Sequence, residues 1–386
     1  MSAAFGREVA IAGVGESAYG IVPDRSALQL HADAAAAALA DAGLALADVD
    51  GLATCGDGID LLHIIRVAEY LGVQPTWFDS TMTGGSAWET LVEHAALAIA
   101  TGQCEVALVV YGSTQRSDMG RSLGTGTRGR AKGPRQFEVP FGSSTVAEYA
   151  MAAQLYLHRY GATPEQLAEV AVSTRRHAAD NPDAMYRDPI TVDDVLSSRM
   201  IAEPLHMLDC CVISDGGGAV VLTSLERARS LRGGAVRVLG AGSAIGAMTM
   251  SQMEDPLDIP ARRSGRLAFE RAGLTPADVD VAQLYDSFTI TVLLQLEALG
   301  ICPPGTAGEW VTDGGMNIDG ALPSNTDGGG LSSNHPGMRG IFLLIEATRQ
   351  LRGEARRQVA DAEVALCSGT GGHLSSCGTV LLGVDR

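Results

Sequence analysis

The stretch TMTGGSAWETL, residues 81–91, reads as a strand running into a helix through an elbow of small residues. Elbows of this kind present a nucleophile or backbone N–H groups to a substrate. This one offers Gly84, Gly85 and Ser86 and no cysteine. Ser86 is a candidate nucleophile, the N–H groups of Gly85 and Ser86 are candidate oxyanion donors, and a plain tight turn is the alternative. Three more stretches carry residues able to do chemistry: LYDSFT (284–289), NTDGGGLSSNHPGMRG (325–340) and CSGTGGH (367–373). Each follows an apolar run or lies in a glycine-rich loop, where α/β proteins hold their functional groups. His335, ahead of Pro336 and Gly337, supplies an imidazole for proton transfer. The phenol of Tyr285 can donate to a substrate oxygen or take a proton from one. Cys367 supplies a thiol that acts as acid or base, and Gly369 an N–H for an oxyanion. For each of these side chains a packing role is the alternative reading.

A fifth stretch, RSLGTGTRGRAKGPR (121–135), concentrates Arg121, Arg128, Arg130, Lys132 and Arg135. Cationic side chains among glycine backbone suit phosphate, and a phosphorylated carrier such as coenzyme A is the expected ligand; a solvated loop is the alternative.

The elements that must position these groups are legible as alternating strands and helices. VAIAGVG (9–15) reads as a buried strand, followed by a helix at 27–42 that Gly43 closes. Gly13 and Gly15 do not complete a dinucleotide-binding fingerprint. The second half repeats the first. VRVLGAG (236–242) resembles VAIAGVG, and AGLTPADVD (272–280) matches AGLALADVD (42–50) at seven of nine positions, at offsets of 227 and 230. Two matches in register indicate a duplication, with halves at 1–235 and 236–386. An insertion at about 115–205 carries the basic loop and two helices, at 144–160 and 164–179.

Composition narrows the class. The chain has 386 residues, 46% of them hydrophobic, and a net charge of −17, which argues against nucleic acid as a partner. No apolar run approaches the roughly 20 residues that span a bilayer, and the N-terminus has no signal-peptide pattern. The seven cysteines are scattered without a CxxC, so reduced thiols in the cytoplasm and no metal site are expected.

Taken together, the stretches resemble the thiolase superfamily, nearest to the sterol-carrier-protein-x type thiolases and the steroid side-chain acyl-CoA aldolases. VDVAQLYDSFTITVLLQLEALGICPPG resembles the segment those proteins write with LHDCF or LYDHF, and NTDGGGLSSNHPG resembles NPSGGLxxxGHPxG. CSGTGG resembles the CxGGG turn, and SDGGGAVVLTS (214–224) the TDGAAA strand. The resemblance implies an α/β thiolase fold: a five-layered αβαβα sandwich of two duplicated βαβαβαββ halves. It implies that His335 is the activating histidine, Cys367 the acid/base at the substrate α-carbon, Gly369 the oxyanion-hole glycine and Asn325 the residue opening the GGL loop. Tyr285 takes the place of an Asn or His that orders the other oxyanion hole.

The nucleophilic cysteine of thiolases falls on Gly85, next to Ser86. Glycine there and the tyrosine of LYD are both features of the aldolases, which need no acyl-enzyme. The resemblance therefore implies retro-aldol cleavage of a β-hydroxyacyl-CoA, of a steroid side chain in the nearest relatives, with Tyr285 as base. SSNHPG departs from the aldolase pattern, which carries another tyrosine near that turn. The alternatives are a Claisen-type acyltransferase using Ser86 or a non-catalytic subunit. No permanently bound cofactor is implied, coenzyme A being part of the substrate. A homodimer is implied, with a small OB-fold, zinc-ribbon-like partner completing a heterotetramer.

Overall fold

The computed structural model describes residues 7–56, 62–119 and 132–385. Its first half runs β1 (Val9–Glu16), α1 (Ala27–Ala42), β2 (Gly51–Ala53), α2 (His63–Leu71), β3 (Trp77–Asp79), α3 (Ala87–Ala100) and β4 (Val106–Ser113). The insertion contributes α4 (Thr145–Tyr160) and α5 (Pro164–Ala178), and β5 (Gly216–Ser224) then returns to the sheet. The second half runs β6 (Val236–Ile245), α6 (Ala261–Ala272), β7 (Val281–Leu284), α7 (Thr289–Ala298), α8 (Gly340–Arg352), β8 (Val364–Gly371) and β9 (Ser376–Val384).

The strand order β3-β2-β4-β5-β1-β6-β9-β8-β7 has a mirror between β1 and β6. Reading outward, β1, β5, β4, β2 correspond to β6, β9, β8, β7. β3 lies parallel to β2, and its counterpart shrinks to a single parallel bridge between Ala282 and Ser324. The half-sheets join where Ala10 and Ile11 face Arg237 and Val236. Between them lie α3 and α8, nearly all of whose residues are buried and each of which packs on strands of both halves. With α1 on the outer face of one half-sheet and α6 on that of the other, the layers are the five expected.

The repeated glycines explain themselves in this frame. A Cβ at Gly13 would lie 2.3 Å from Ala38 O of α1, and one at Gly240 would lie 2.3 Å from Ala268 O of α6. Both halves use glycine to bring the outer helix close onto its first strand, a packing use with no nucleotide in it. The helix starts and stops follow local chemistry. Ser26 caps α1, its Oγ accepting from Gln29 N–H (3.2 Å), while Gly43 ends it at φ +73°.

Candidate active site

Tyr285 is the first residue after β7, and its backbone is held from three sides. Leu284 N–H donates to Asn325 Oδ1 (2.8 Å), Tyr285 N–H to Ser368 O (2.9 Å), and Gln295 Nε2 to Tyr285 O (2.6 Å). The phenol then lies 3.0 Å from His335 Nε2 and accepts from the N–H of Arg339 (3.2 Å) at the start of α8. A backbone N–H only donates, so it occupies a lone pair of the phenol and leaves the phenolic hydrogen for the imidazole or a substrate. The same N–H and the helix N-terminus stabilise negative charge on that oxygen.

Arg339 ties the surroundings together. Fully buried, it pairs with Asp327 (2.5 Å), donates to Asn334 O and Oδ1 (2.9 and 2.8 Å) and lies 3.7 Å from Asp286. Asp286 in turn accepts from the N–H groups of Gly330 (2.7 Å) and Leu331 (3.1 Å). One buried cation thus fixes the 325–339 loop against the residue next to Tyr285, and a buried cation is tolerable only with such a set of partners. An arginine opening the apolar run GIFLLI is the sequence signal for it.

Gly85 faces the same phenol. A Cβ there would lie 2.3 Å from Tyr285 Cζ, 2.4 Å from its Cε2 and 2.4 Å from Thr370 O. The glycine does not leave space for a substrate, as its small size suggests; the tyrosine ring fills that space. Ser86 is fully buried, with its Oγ bonded to Ser376 Oγ (2.8 Å), Thr83 O and Thr83 Oγ1 (both 3.1 Å). It lies outside the cavity wall, and its hydroxyl stabilises the elbow.

The cavity over the phenol measures about 630 Å³ and is lined by Gly85, Tyr285 and His335 from the expected set. Its walls are mixed, with Leu28, Met82, Ile213, Phe288 and Met338 among the apolar groups and His31, Arg66, Gln115 and Asp118 among the polar ones. Tyr149 of α4 also lines it and donates to Gly372 O (3.2 Å), so the insertion closes one side. The other expected residues lie elsewhere. Cys367 is fully buried in β8, its Sγ 3.4 Å from Leu343 O, and does not reach the cavity. Gly369 faces Glu89, whose Oε2 would be 2.1 Å from an added Cβ. Asn325 acts through Leu284, from outside the cavity wall. Lys132 is exposed, while Arg121, Arg128 and Arg130 lie outside the described residues. Cys211 and Thr370, which the sequence did not single out, are in the wall. A separate groove of about 730 Å³ touches none of these groups. Two of its arginines are already paired, Arg159 with Asp255 (2.6 Å) and Arg262 with Asp258 (2.7 Å).

Burial sets the protonation states. It pushes the Tyr285 phenol well up, helped by Cys211, against a smaller lowering from the Arg339 N–H. Burial and then the Arg339 charge bring His335 down to about 4, which keeps its imidazole neutral at neutral pH. His31 and His177 are also lowered to about 4, chiefly by burial. Burial raises Glu89, fully buried with neither carboxyl oxygen hydrogen-bonded among the described residues, to about 8.

These protonation equilibria fix a pH dependence of stability. The histidines contribute stability present above their ordinary 6.5 and lost as pH falls through about 4. Glu89 contributes stability that is complete below its ordinary 4.5 and gone once pH has risen through about 8. Every tenfold change in a group's proton affinity on folding is worth roughly 1.4 kcal/mol. Glu346, raised by burial to about 7, adds to the alkaline loss, so thermal melts across pH 4–9 should fall off on both the acid and the alkaline side, and Glu89→Gln should flatten the alkaline side. An alkaline side unchanged by that substitution would contradict the burial argument.

Two family models match the chain: thiolase, N-terminal domain, over residues 10–226, and thiolase C-terminal domain-like, over residues 242–384. The chain is 41% identical to a steroid side-chain-cleaving aldolase of Thermomonospora curvata, over 98% of each chain. It is 41% identical to the 17-hydroxy-3-oxo-4-pregnene-20-carboxyl-CoA lyase of Mycobacterium tuberculosis, over 94% of this chain and 97% of that one. Among solved structures it is similar to the Ltp2-ChsH2(DUF35) aldolase, with a TM-score of 0.89, 38% identity and 99% of each chain covered.

Proposed function

The chain belongs to the thiolase family, and from that premise we propose that it is a carbon–carbon lyase cleaving a β-hydroxyacyl-CoA by retro-aldol chemistry. The observation that carries this is the exclusion between Gly85 and Tyr285. Where a thiolase nucleophile would stand, a phenol ring fills the space and its oxygen meets His335 (3.0 Å) and Arg339 N–H (3.2 Å). An acyl-enzyme therefore has no nucleophile at the elbow, while a phenol hydrogen-bonded to a neutral imidazole sits at the cavity wall, able to relay a proton. The aldolase and lyase activities named for the two relatives at 41% identity support the same reading.

In this mechanism Tyr285 takes the β-hydroxyl proton as its own proton passes to His335 Nε2. The Cα–Cβ bond breaks, the β-carbon becomes a carbonyl, and the bonding pair moves into the thioester as an enolate. Protonation at Cα then releases a shorter acyl-CoA. Arg339 acts from behind, through its backbone N–H on the phenol and its charge on the imidazole. The volume of about 630 Å³ is ordinary for a bulky ligand, and the apolar part of the lining, Leu28, Met82, Ile213, Phe288 and Met338, suits a polycyclic acyl group such as a steroid side-chain ester. Coenzyme A enters as part of the substrate, and the basic 121–135 loop is our choice for its phosphates. We take the working assembly to be a homodimer completed by a small partner of the DUF35 kind, as named for the similar aldolase. Seven free thiols fit a cytoplasmic setting. No helix among the described residues is long and apolar enough to cross a membrane.

The test is product analysis by mass spectrometry. Purified protein, with and without that partner, is given β-hydroxyacyl-CoA and β-ketoacyl-CoA esters. The expected result is a carbonyl compound plus a shortened acyl-CoA from the hydroxy ester, and no acyl increment on the chain. Thiolysis of the keto ester with an increment on the 81–91 peptide would overturn the reading.

A further inference from the structure

Retro-aldol cleavage leaves an enolate that needs a donor for its oxygen and a proton for its α-carbon. Cys367, the expected proton source, is shut into the middle layer against Leu343 O. We propose that the enolate half of the site is built from Cys211 and Thr370, the thiol protonating Cα and the threonine hydroxyl holding the thioester oxygen; this rests on the retro-aldol reading above.

Both residues line the cavity that holds Tyr285 and His335. Cys211 N–H donates to Ser287 O (2.9 Å), two residues after Tyr285, which seats the thiol in the wall beside the phenol. Charge on Cys211 raises the ionisation cost of the Tyr285 phenol. Thr370 comes from β8. Its carbonyl lies 2.4 Å from the Cβ position of Gly85, so its backbone borders the phenol. Its Oγ1 is buried and has no hydrogen-bond partner among the described residues. A buried hydroxyl without a partner costs about 1–3 kcal/mol, which a substrate oxygen would recover. The neighbouring Gly369, in contrast, faces Glu89 in the protein interior.

The thiol is in the right state for this work. Burial, then Cys210 and Asp286, push Cys211 well above the ordinary thiol range, so it is a proton donor and not a thiolate nucleophile. The protons balance. The β-hydroxyl proton enters the Tyr285–His335 pair, Cys211 gives its proton to Cα, and the pair returns a proton to the Cys211 thiolate. No oxidant, reductant or added water takes part.

By microscopic reversibility the same groups exchange the α-hydrogens of a bound short acyl-CoA with solvent. The test follows deuterium uptake into propionyl-CoA and acetyl-CoA in D2O by mass spectrometry, beside cleavage of a β-hydroxyacyl-CoA. Cys211→Ala and Cys211→Ser should each lower exchange by roughly 10²-fold. A packing role would be rescued by serine, which has the cysteine's shape; a proton-donor role would not. Thr370→Val should slow both exchange and cleavage, with Thr370→Ser restoring them. Cys211→Ser with unchanged melting temperature and exchange within about threefold of wild type would overturn the role of the thiol. If wild-type protein cleaves no β-hydroxyacyl-CoA under any condition, the retro-aldol reading itself fails, a result distinct from cleavage that persists with unaltered exchange in the variants.

Discussion

Tyr285→Phe is expected to lower the rate of carbon–carbon cleavage by roughly 10²–10⁴-fold, the usual span for losing a positioned acid or base. The substitution is selective because the ring does most of the packing. Phenylalanine still fills the space over Gly85, where Tyr285 Cζ comes within 2.3 Å of a Cβ position. What disappears is one oxygen that joins His335 Nε2 (3.0 Å) to the N–H of Arg339 (3.2 Å). That N–H becomes a buried donor without a partner, so stability should fall by about 1–3 kcal/mol, and the melting curve reads it. Binding of acyl-CoA should change little, since the phenol meets the reacting hydroxyl and not the carrier. Ser86→Ala is the matched control. Its hydroxyl is spent on Thr83 and Ser376, away from the cavity, so the cleavage rate should stay within about threefold of wild type while stability drops by about 1 kcal/mol. Cleavage by Tyr285→Phe within about threefold of wild type would remove Tyr285 from the chemistry.

That Tyr285 lines the cavity while Cys367 does not has a geometrical reason. Tyr285 and His335 are each placed by a short local signal, a strand end and a proline–glycine turn, and strand ends converge on the cavity. Cys367, Gly369 and Thr370 lie within one strand, where successive side chains point to opposite faces. The motif located the strand; its facing depends on pairing with β7 and β9, which only the fold specifies. Cys367 and Gly369 share the face turned to the middle layer, and Thr370 takes the other. Cys211 was missed because nothing local marks it. It reaches the cavity through an antiparallel bridge between Cys210 and Phe288, far apart in the chain. The fold itself was more legible, because the duplication repeats a steric requirement. Gly13 and Gly240 admit α1 and α6 at the same 2.3 Å, so the two halves had to keep similar sequences there.

Gly85 is the second position where a large effect is expected. Gly85→Ala introduces a Cβ that would lie 2.3 and 2.4 Å from the Tyr285 ring and 2.4 Å from Thr370 O. Ring and carbonyl cannot both stay, so overpacking should cost about 1–3 kcal/mol. The phenol must move relative to His335 and Arg339, and misplacement of this size costs on the order of 10²-fold in rate. Gly85→Ala should therefore melt earlier and cleave poorly, although it touches no proton. A double-mutant cycle with Tyr285→Ala isolates the ring's share. Gly85→Ala should cost less in that background, with a coupling of about 1 kcal/mol or more. Recovery should be incomplete, because Thr370 O belongs to the backbone of β8 and stays where it is. The same constraint bears on the lost thiol. Gly85→Cys combined with Tyr285→Ala removes the ring but keeps the carbonyl, so mass spectrometry after incubation with a β-ketoacyl-CoA should find no acylated cysteine. Additive effects of Gly85→Ala and Tyr285→Ala would mean that glycine and ring do not exclude each other, and a stably acylated Gly85→Cys/Tyr285→Ala chain would mean that the Thr370 carbonyl does not exclude a nucleophile once the ring is gone.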